Sequence, residues 1–266
     1  MKRSRRDLCA ALMLLPVVAG VLLFAMPLLG LALRAPWHRV ELVIAPAVIE
    51  AMTLSLQVSL LAAALSFMLG LPLAAWLARG DTLSRRLVRV LVILPLVLPP
   101  VVGGVALLAA FGRSGFLGRP AAEWFGLVLP SSVAGVVLAA TYVAMPFFVL
   151  TVEAALRAFD RRFAAVAATL GASPWRRTWS VTLPMIAPAL GAGLVVAWAR
   201  ALGEFGATMM FAGNLAGRTR TMPLLIYSAF EADPDVALAL SLLLALVSAA
   251  ILFVLRERWF PIGERS

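Results

Sequence analysis

Six long apolar runs, separated by short segments rich in arginine, glycine and proline, set the pattern of this 266-residue chain. They fall at about Leu8–Leu33, Val48–Ala78, Leu87–Phe111, Ser131–Ala155, Met185–Phe211 and Val236–Leu255. Each is long enough to supply the ~20 helical residues that cross a ~30 Å hydrocarbon core, so each predicts a membrane-spanning helix. The first run is much longer than the ~7–15-residue apolar part of a secretory signal. No small residues precede Cys9 as a lipoprotein cleavage site would require, so this run is expected to stay as a helix.

One stretch in the middle does not fit lipid. Asp160–Pro184 carries Arg161, Arg162, Arg176 and Arg177, with Trp175 and Trp179 four residues apart. Ser173-Pro174 reads as a helix start, a hydroxyl N-cap followed by a proline whose missing N–H costs nothing at the first helical position. The Ala-rich segment Phe163–Thr169 is expected to be helical. Gly171 lies between the two, where the chain must turn sharply. The stretch therefore predicts helix, tight turn and short amphipathic helix, a knuckle shaped for docking. The alternative from these residues is a helix lying on headgroups, with tryptophans buried and arginines on anionic lipid.

Composition agrees with a membrane protein: 63% of the residues are hydrophobic and 14% charged, against about a quarter charged in soluble domains. The net charge of +10 is explained by topology better than by nucleic acid. Sixteen basic residues fall on one side of the six runs: Lys2, Arg3, Arg5, Arg6, Arg79, Arg85, Arg86, Arg89, Arg157, Arg161, Arg162, Arg176, Arg177, Arg256, Arg258 and Arg265. Six fall on the other, Arg34, Arg39, Arg113, Arg119, Arg218 and Arg220, and Arg200 lies inside the fifth run. Basic residues favour the cytoplasmic side. Both termini and the knuckle are thus expected in the cytoplasm. A lone cysteine, Cys9, excludes an intrachain disulfide and a cysteine-based metal site, and the lone His38 falls in an expected external loop.

The spans differ in polarity. The first and sixth read as lipid-facing anchors. Ser55, Gln57, Ser59 and Ser66 in the second suggest hydrogen bonds to neighbouring helices or a pore lining. Pro95, Pro99 and Pro100 predict a bend or interruption in the third, at a packing kink or along a path through the membrane. The loop FGRSGFLGRPAAEWFG is expected to form a short interfacial helix with Trp124 and Phe125 as its belt. In the fifth span Arg200 and Glu204 are four residues apart, on one helical face, and can pair within the membrane. Gly203, Gly206 and Thr208 keep that stretch slim enough for close helix approach or a gate. The candidate path or gate is therefore Pro99, Pro100, Arg200, Gly203, Glu204, Phe205 and Thr208.

The chain lacks an engine. Its single lysine, Lys2, rules out the Gly-x-x-x-x-Gly-Lys-Ser/Thr phosphate loop. There is no His-Glu-x-x-His pair and no Ser/His/Asp set, so no catalytic residue is assigned. Coupled secondary carriers use several buried acids, and here Glu204 is nearly alone. A docking knuckle without a motor suggests a pore subunit driven by a partner.

The run LGASPWRRTWSVTLP resembles the cytoplasmic signature of type I ABC importer permeases, in which Glu-Ala-Ala precedes a glycine and a later Leu-Pro. Gly171 and Leu183-Pro184 match, whereas the Glu-Ala-Ala positions fall on Ala165, Val166 and Ala167, so the family glutamate is absent. The literal triplet Glu153-Ala154-Ala155 lies too far upstream, in the fourth span, and is read as a decoy. LPLVLPPVVGG, GRSGFLG and RALGEFGATMMFAGNLAGRTRTMPLLIY resemble the molybdate members of the family, and sulfate or thiosulfate members share part of the last pattern.

The resemblance implies an all-α polytopic fold of six transmembrane helices, with a cytoplasmic coupling helix between spans four and five. Residues 1–47 would be the N-terminus and anchor, 48–256 the transport domain and 257–266 a cytoplasmic tail. The coupling residues would be Ala165, Gly171, Ala172, Ser173, Pro174, Trp175, Arg176, Arg177 and Trp179. The implied partners are a second copy of the chain, two cytoplasmic ATPase subunits that carry ATP and Mg, an extracytoplasmic oxyanion-binding protein and the lipid of a bacterial inner membrane. No cofactor or metal is expected in the chain itself, and no nucleic acid. Molybdate, with tungstate, is the expected cargo. The alternatives are a sulfate or thiosulfate permease of the same design, and a stand-alone channel or secondary carrier.

Overall fold

Apolar periodicity becomes helix throughout: no strand occurs among residues 2–259, which the computed structural model describes, with side chains over 14–39 and 41–254. The basic side chains of 2–6, Cys9, Arg256, Arg258 and Arg265 therefore lie outside the described side chains, as does the end of the expected 257–266 tail. Helix α1 (Lys2–Arg34) leads through a 3-10 segment at Trp37–Ile44 to α2 (Pro46–Leu77), which opens on proline at its first position. The expected third span divides into α3 (Leu83–Val97) and α4 (Pro100–Phe111). Next come α5 (Gly118–Phe125), α6 (Val133–Ala158), α7 (Arg161–Thr169), α8 (Pro174–Arg177), a π turn at Thr178–Thr182 and α9 (Leu183–Met185). The expected fifth span divides into α10 (Ala187–Leu202) and α11 (Gly206–Phe211), and α12 (Met222–Ala232) and α13 (Pro234–Trp259) complete the chain.

Among the described residues, Leu14–Arg34, Pro46–Leu77, Val133–Ala158 and Pro234–Val254 are each long and apolar enough to cross a membrane. A fifth crossing results if Pro174–Met185 and Ala187–Leu202, bent by 69° from each other, form one span. The expected third span is broken at Leu98 and Pro99, both with extended ψ, 139° and 136°. The cause is local. Each precedes a proline, whose ring disfavours the α conformation in the residue before it.

The core is the contact of α2, α6 and α10, and small residues make it possible. Phe148, fully buried, wedges between Gly70 of α2 and Gly193 of α10. A Cβ on either glycine would come within 2.8 or 3.1 Å of the ring. Ala62, Ala140, Ala144 and Ala197 are equally buried around it. Such small-residue seams let helices approach where lipid supplies no hydrophobic drive to associate. By contrast the described part of α1 packs chiefly on α13 and turns its apolar residues outward, as an anchor in lipid does.

The ends of these helices are not level. Gln57 and Val133 line one cavity at one end, and Leu77 approaches the Glu153 cluster at the other, so α2 and α6 run in the same direction. From Pro46 to Gln57 roughly 16 Å of α2, at 1.5 Å per residue, overhangs the start of α6.

Candidate functional site

The knuckle forms as its sequence requires. Asp160 caps α7, its Oδ1 accepting from the Arg162 N–H at 2.9 Å. The helix ends in a Schellman turn: Gly171 N–H donates to the Ala168 carbonyl and Ala172 N–H to the Ala167 carbonyl, both at 3.0 Å. Gly171 sits at φ +82°, the left-handed region where a side chain is strained. Ser173 Oγ then accepts from Arg176 N–H at 3.3 Å, with Pro174 opening α8. Thr178 to Thr182 form a π turn, unforeseen in the sequence, and α9 follows. Trp175 and Trp179 pack at 5.3 Å between ring centroids. Around this aromatic pair, Phe163, Val166 and Leu170 face outward, as do Ala165, Ala172 in part, and Arg176. Leu170 is 82% exposed and Trp175 72%, an apolar surface that the chain itself leaves uncovered.

Beside the knuckle's base lies an ionic cluster that sequence reasoning missed. Glu153, passed over as a decoy, is buried, and its Oε1 accepts from Arg89 Nη2 at 2.7 Å and from Arg157 Nε at 2.9 Å. Asp81 Oδ1 completes the ring, 3.0 Å from Arg157 Nη2 and 3.3 Å from Arg89 Nη1. Both guanidiniums also donate to the Leu77 carbonyl at the end of α2. The Arg157 hydrogen bond and charge, with a smaller contribution from Arg89, hold the Asp81 carboxyl below its ordinary range. The only local signal was the spacing of Glu153 and Arg157 along one helical face; Arg89 and Asp81 come from a distant loop and helix.

Of the candidate path residues, Pro100 meets the Arg200–Thr208 stretch, while Pro99 is exposed at the break before it. Arg200 Nη2 lies 2.9 Å from Glu204 Oε2, the pairing expected from their spacing, though without a well-aligned hydrogen bond. They do not share one helix. Helix α10 stops at Leu202, and Glu204 sits in the break at Gly203–Phe205, where its Oε1 accepts from the Ala207 N–H at 2.9 Å. Gly193 lies against Phe148 and Thr151, and Phe211 against Gly135, which sets the Arg200–Glu204 pair opposite the middle of α6 rather than near its end. Across the second break, Gly206 meets Pro100, and Gly104 of α4 meets Ala207 and Met210. Cβ atoms there would fall within about 3 Å of these neighbours, so α4 and α11 pack backbone to backbone. Thr208 is buried in the same seam, while Phe205 stacks at 5.2 Å on Tyr227 of α12.

The polar residues of α2 separate by role. Ser55, Ser59 and Ser66 are buried in helix contacts, and Ser55 Oγ accepts from the Met222 N–H at 2.7 Å. Gln57 instead faces a cavity. Helix α5 ends, as expected, in outward-facing Trp124 and Phe125.

Comparison with known proteins gives a consistent picture. The sequence profile of the family described as "Binding-protein-dependent transport system inner membrane component" matches residues 66–260. The chain is similar to the molybdenum transport system permease protein ModB of Mycobacterium tuberculosis, 47% identical over 250 residues, 94% of each chain. The ModB protein of Escherichia coli is 39% identical over 210 residues, 79% of this chain and 92% of that one. A probable sulfate transport system permease protein of Zygnema circumcarinatum is 32% identical over 242 residues, 89% of this chain and 83% of that one. Among solved structures, a bacterial ABC transporter involved in import of the acidic polysaccharide alginate superposes with a TM-score of 0.78 at 22% identity, covering 99% of both chains.

Proposed function

The chain belongs to the binding-protein-dependent transport system inner membrane components, and from that premise we propose that it is the membrane permease subunit of a molybdate ABC importer. One observation carries the mechanical part of this reading: the uncovered apolar face of the Asp160–Thr182 knuckle, built on a rigid Schellman turn, in a chain with no phosphate loop of its own. Such a surface suits docking into a separate ATPase. The cargo follows from the relatives, since ModB proteins match nearly the whole chain at up to 47% identity, against 32% for the sulfate permease.

In this reading the polypeptide crosses the membrane six times, through α1, α2, the broken α3–α4 pair, α6, the broken α9–α11 group and α13. The arginine asymmetry favours both termini in the cytoplasm. Two copies join two ATPase subunits at α7 and α8, and an extracytoplasmic binding protein delivers the anion to the opposite face. One solved neighbour of the fold, a bacterial alginate ABC transporter, was captured in complex with an alginate pentasaccharide-bound periplasmic protein. ATP and Mg are held by the ATPase partner. Residues 48–256 form the transport domain and 1–47 the anchoring segment.

The mechanism is alternating access. Closure of the ATPase dimer pushes on Ala165–Trp179. The Arg89–Glu153–Arg157 cluster ties the α6 stem of the knuckle to α2 and α3, so the push reaches three spans together. The breaks at Leu98–Pro99 and Gly203–Phe205 supply points where spans three and five change angle, with α4 and α11 moving as a packed pair.

Reconstitution in vesicles with the ATPase and binding protein tests this. ATP-dependent uptake of molybdate, in preference to sulfate, is expected only in the full complex. Sulfate preference would replace the cargo. Anion flux through the chain alone, without ATP, would replace the mechanism with that of a channel or carrier.

A further inference from the structure

At the end of the bundle away from the Glu153 cluster, the overhang of α2 and the loop after α11 enclose a cavity of about 320 Å³. Glu50, Thr53 and Gln57 line it from α2, Val133 from the start of α6, and Arg218 and Arg220 from the loop. The loop is rigidly stitched. The backbone N–H groups of Arg218, Thr219 and Arg220 all donate to the Leu215 carbonyl, at 3.1, 2.9 and 3.0 Å. Thr219, buried, donates its hydroxyl to the Gly213 carbonyl at 3.1 Å and accepts from Leu215 N–H at 3.0 Å. Gly217 turns the chain at φ +69°. Arg220 is aimed by Asn214, whose Oδ1 accepts from Nε at 2.8 Å, and Asn214 in turn donates from Nδ2 to Ser228 Oγ at 2.8 Å. Among the described residues neither Arg218 nor Arg220 pairs with a carboxylate, unlike Arg39, Arg89, Arg119, Arg157, Arg162 and Arg200.

We propose that this cavity is an oxyanion-receiving site, in which Arg218 and Arg220 face the hydroxyl of Thr53 and the amide of Gln57 around a small tetrahedral dianion. The proposal rests on the oxyanion-importer reading and deepens it. Guanidinium suits oxyanions because its planar fork of N–H donors matches their geometry and stays charged at any physiological pH. Preorganisation by the Leu215 and Asn214 bonds lowers the ordering entropy that binding would otherwise cost. With Glu50, Thr53 and Gln57 are the exposed polar residues of α2, whose serines are buried, and lipid would leave the donors of Thr53 and Gln57 unsatisfied. Glu50 faces the same cavity and opposes the anion. Its repulsion keeps occupancy weak, which a site on a path needs if its cargo is to move on. The cavity would take the anion at the outer end of the spans, above the Arg200–Glu204 break.

Equilibrium binding of radiolabelled molybdate to the purified permease–ATPase complex, without binding protein, tests the site, with ATP-dependent uptake measured in parallel. Wild type should bind saturably, and more weakly as salt rises. Arg218→Gln and Arg220→Gln should each weaken binding at least about tenfold, the loss of a charge-assisted hydrogen bond. Glu50→Gln should tighten it, a gain that damage to the loop would not produce. Arg113→Gln, a charge-matched change at an exposed arginine outside the cavity, should leave it unchanged. Absence of saturable binding, indifference to all three cavity variants, or an equal loss in Arg113→Gln would overturn the site. If wild type imports molybdate while the Arg218→Gln/Arg220→Gln double variant imports it equally well, the site fails and the importer reading stands. If wild type imports no oxyanion, the importer reading itself fails.

Discussion

Arg89 and Glu153, 64 residues apart in sequence, meet with Nη2 2.7 Å from Oε1, and the carboxylate is 5% exposed. A buried carboxylate held by two guanidiniums is costly to remove, because two partly buried arginines then share only the exposed Asp81. Glu153→Ala should therefore destabilise the chain by about 3 kcal/mol, read as thermal unfolding in detergent. Arg89→Gln combined with Glu153→Gln should recover part of that loss, since neither charge is then stranded. A Glu153→Ala variant that melts like wild type would show that the cluster does not tie α6 to α2 and α3.

Asp81, at the exposed corner of the same cluster, gives it a pH signature. Its carboxyl is depressed chiefly by the Arg157 hydrogen bond and charge. A depressed acid contributes stability that is complete above its unfolded value, about 3.9, and disappears as pH falls through the lower folded value. The melting difference between wild type and Asp81→Asn should hence be constant from about pH 7 to pH 5 and close only below about pH 4. A difference that shrinks near neutrality would contradict this ordering.

Local chemistry was legible and distant partnership was not. Ser173-Pro174 and Gly171 announced a cap and a turn because both depend on residues within a few positions, and both formed. The spacing of Arg200 and Glu204 predicted their pairing, yet not the helix end at Leu202, which places Glu204 at the start of another helix. The break in the third span could be read from Pro99 and Pro100, but its partner, the backbone contact of Gly104 with Ala207, required the fold. Glu153 is a similar case: the triplet does not fit the motif's spacing, and its partner Arg89, 64 residues away, is visible only in the fold. Arg218 and Arg220 read as topological charges until the loop set them beside Gln57.

Gly171 isolates backbone geometry from contact. Nothing in the chain lies within 4 Å of a Cβ built there, so any effect of substitution on the knuckle's own fold comes from its φ of +82°. Gly171→Asn, a residue that visits this conformation, should keep most ATP-driven uptake. Gly171→Val should cost on the order of 1–2 kcal/mol in the turn, re-aim α8, and leave an inserted chain whose partner hydrolyses ATP without transport. Uptake and ATPase rates in the reconstituted complex measure both, and normal uptake by the valine variant would remove the knuckle from the coupling route.

Arg200 and Glu204 permit a separation of structure from transport. Glu204 is 3% exposed and serves two partners, the Arg200 guanidinium and the Ala207 N–H. Glu204→Gln keeps an oxygen for Ala207 and strands Arg200; Arg200→Gln strands the buried carboxylate. Each single change should cost about 2–3 kcal/mol of stability, the penalty of an uncompensated charge away from water, and lower uptake at least tenfold. The double variant removes both charges and should regain the stability of the fold. If the pair only welds α10 to α11, uptake returns with stability. If the pair closes the path at the Gly203–Phe205 break, stability returns and uptake does not, because the break has lost the contact that defines its closed angle. The second outcome is expected: a weld would be more economical inside a continuous helix, whereas this pair spans the Gly203–Phe205 break and caps the half-helix beyond it.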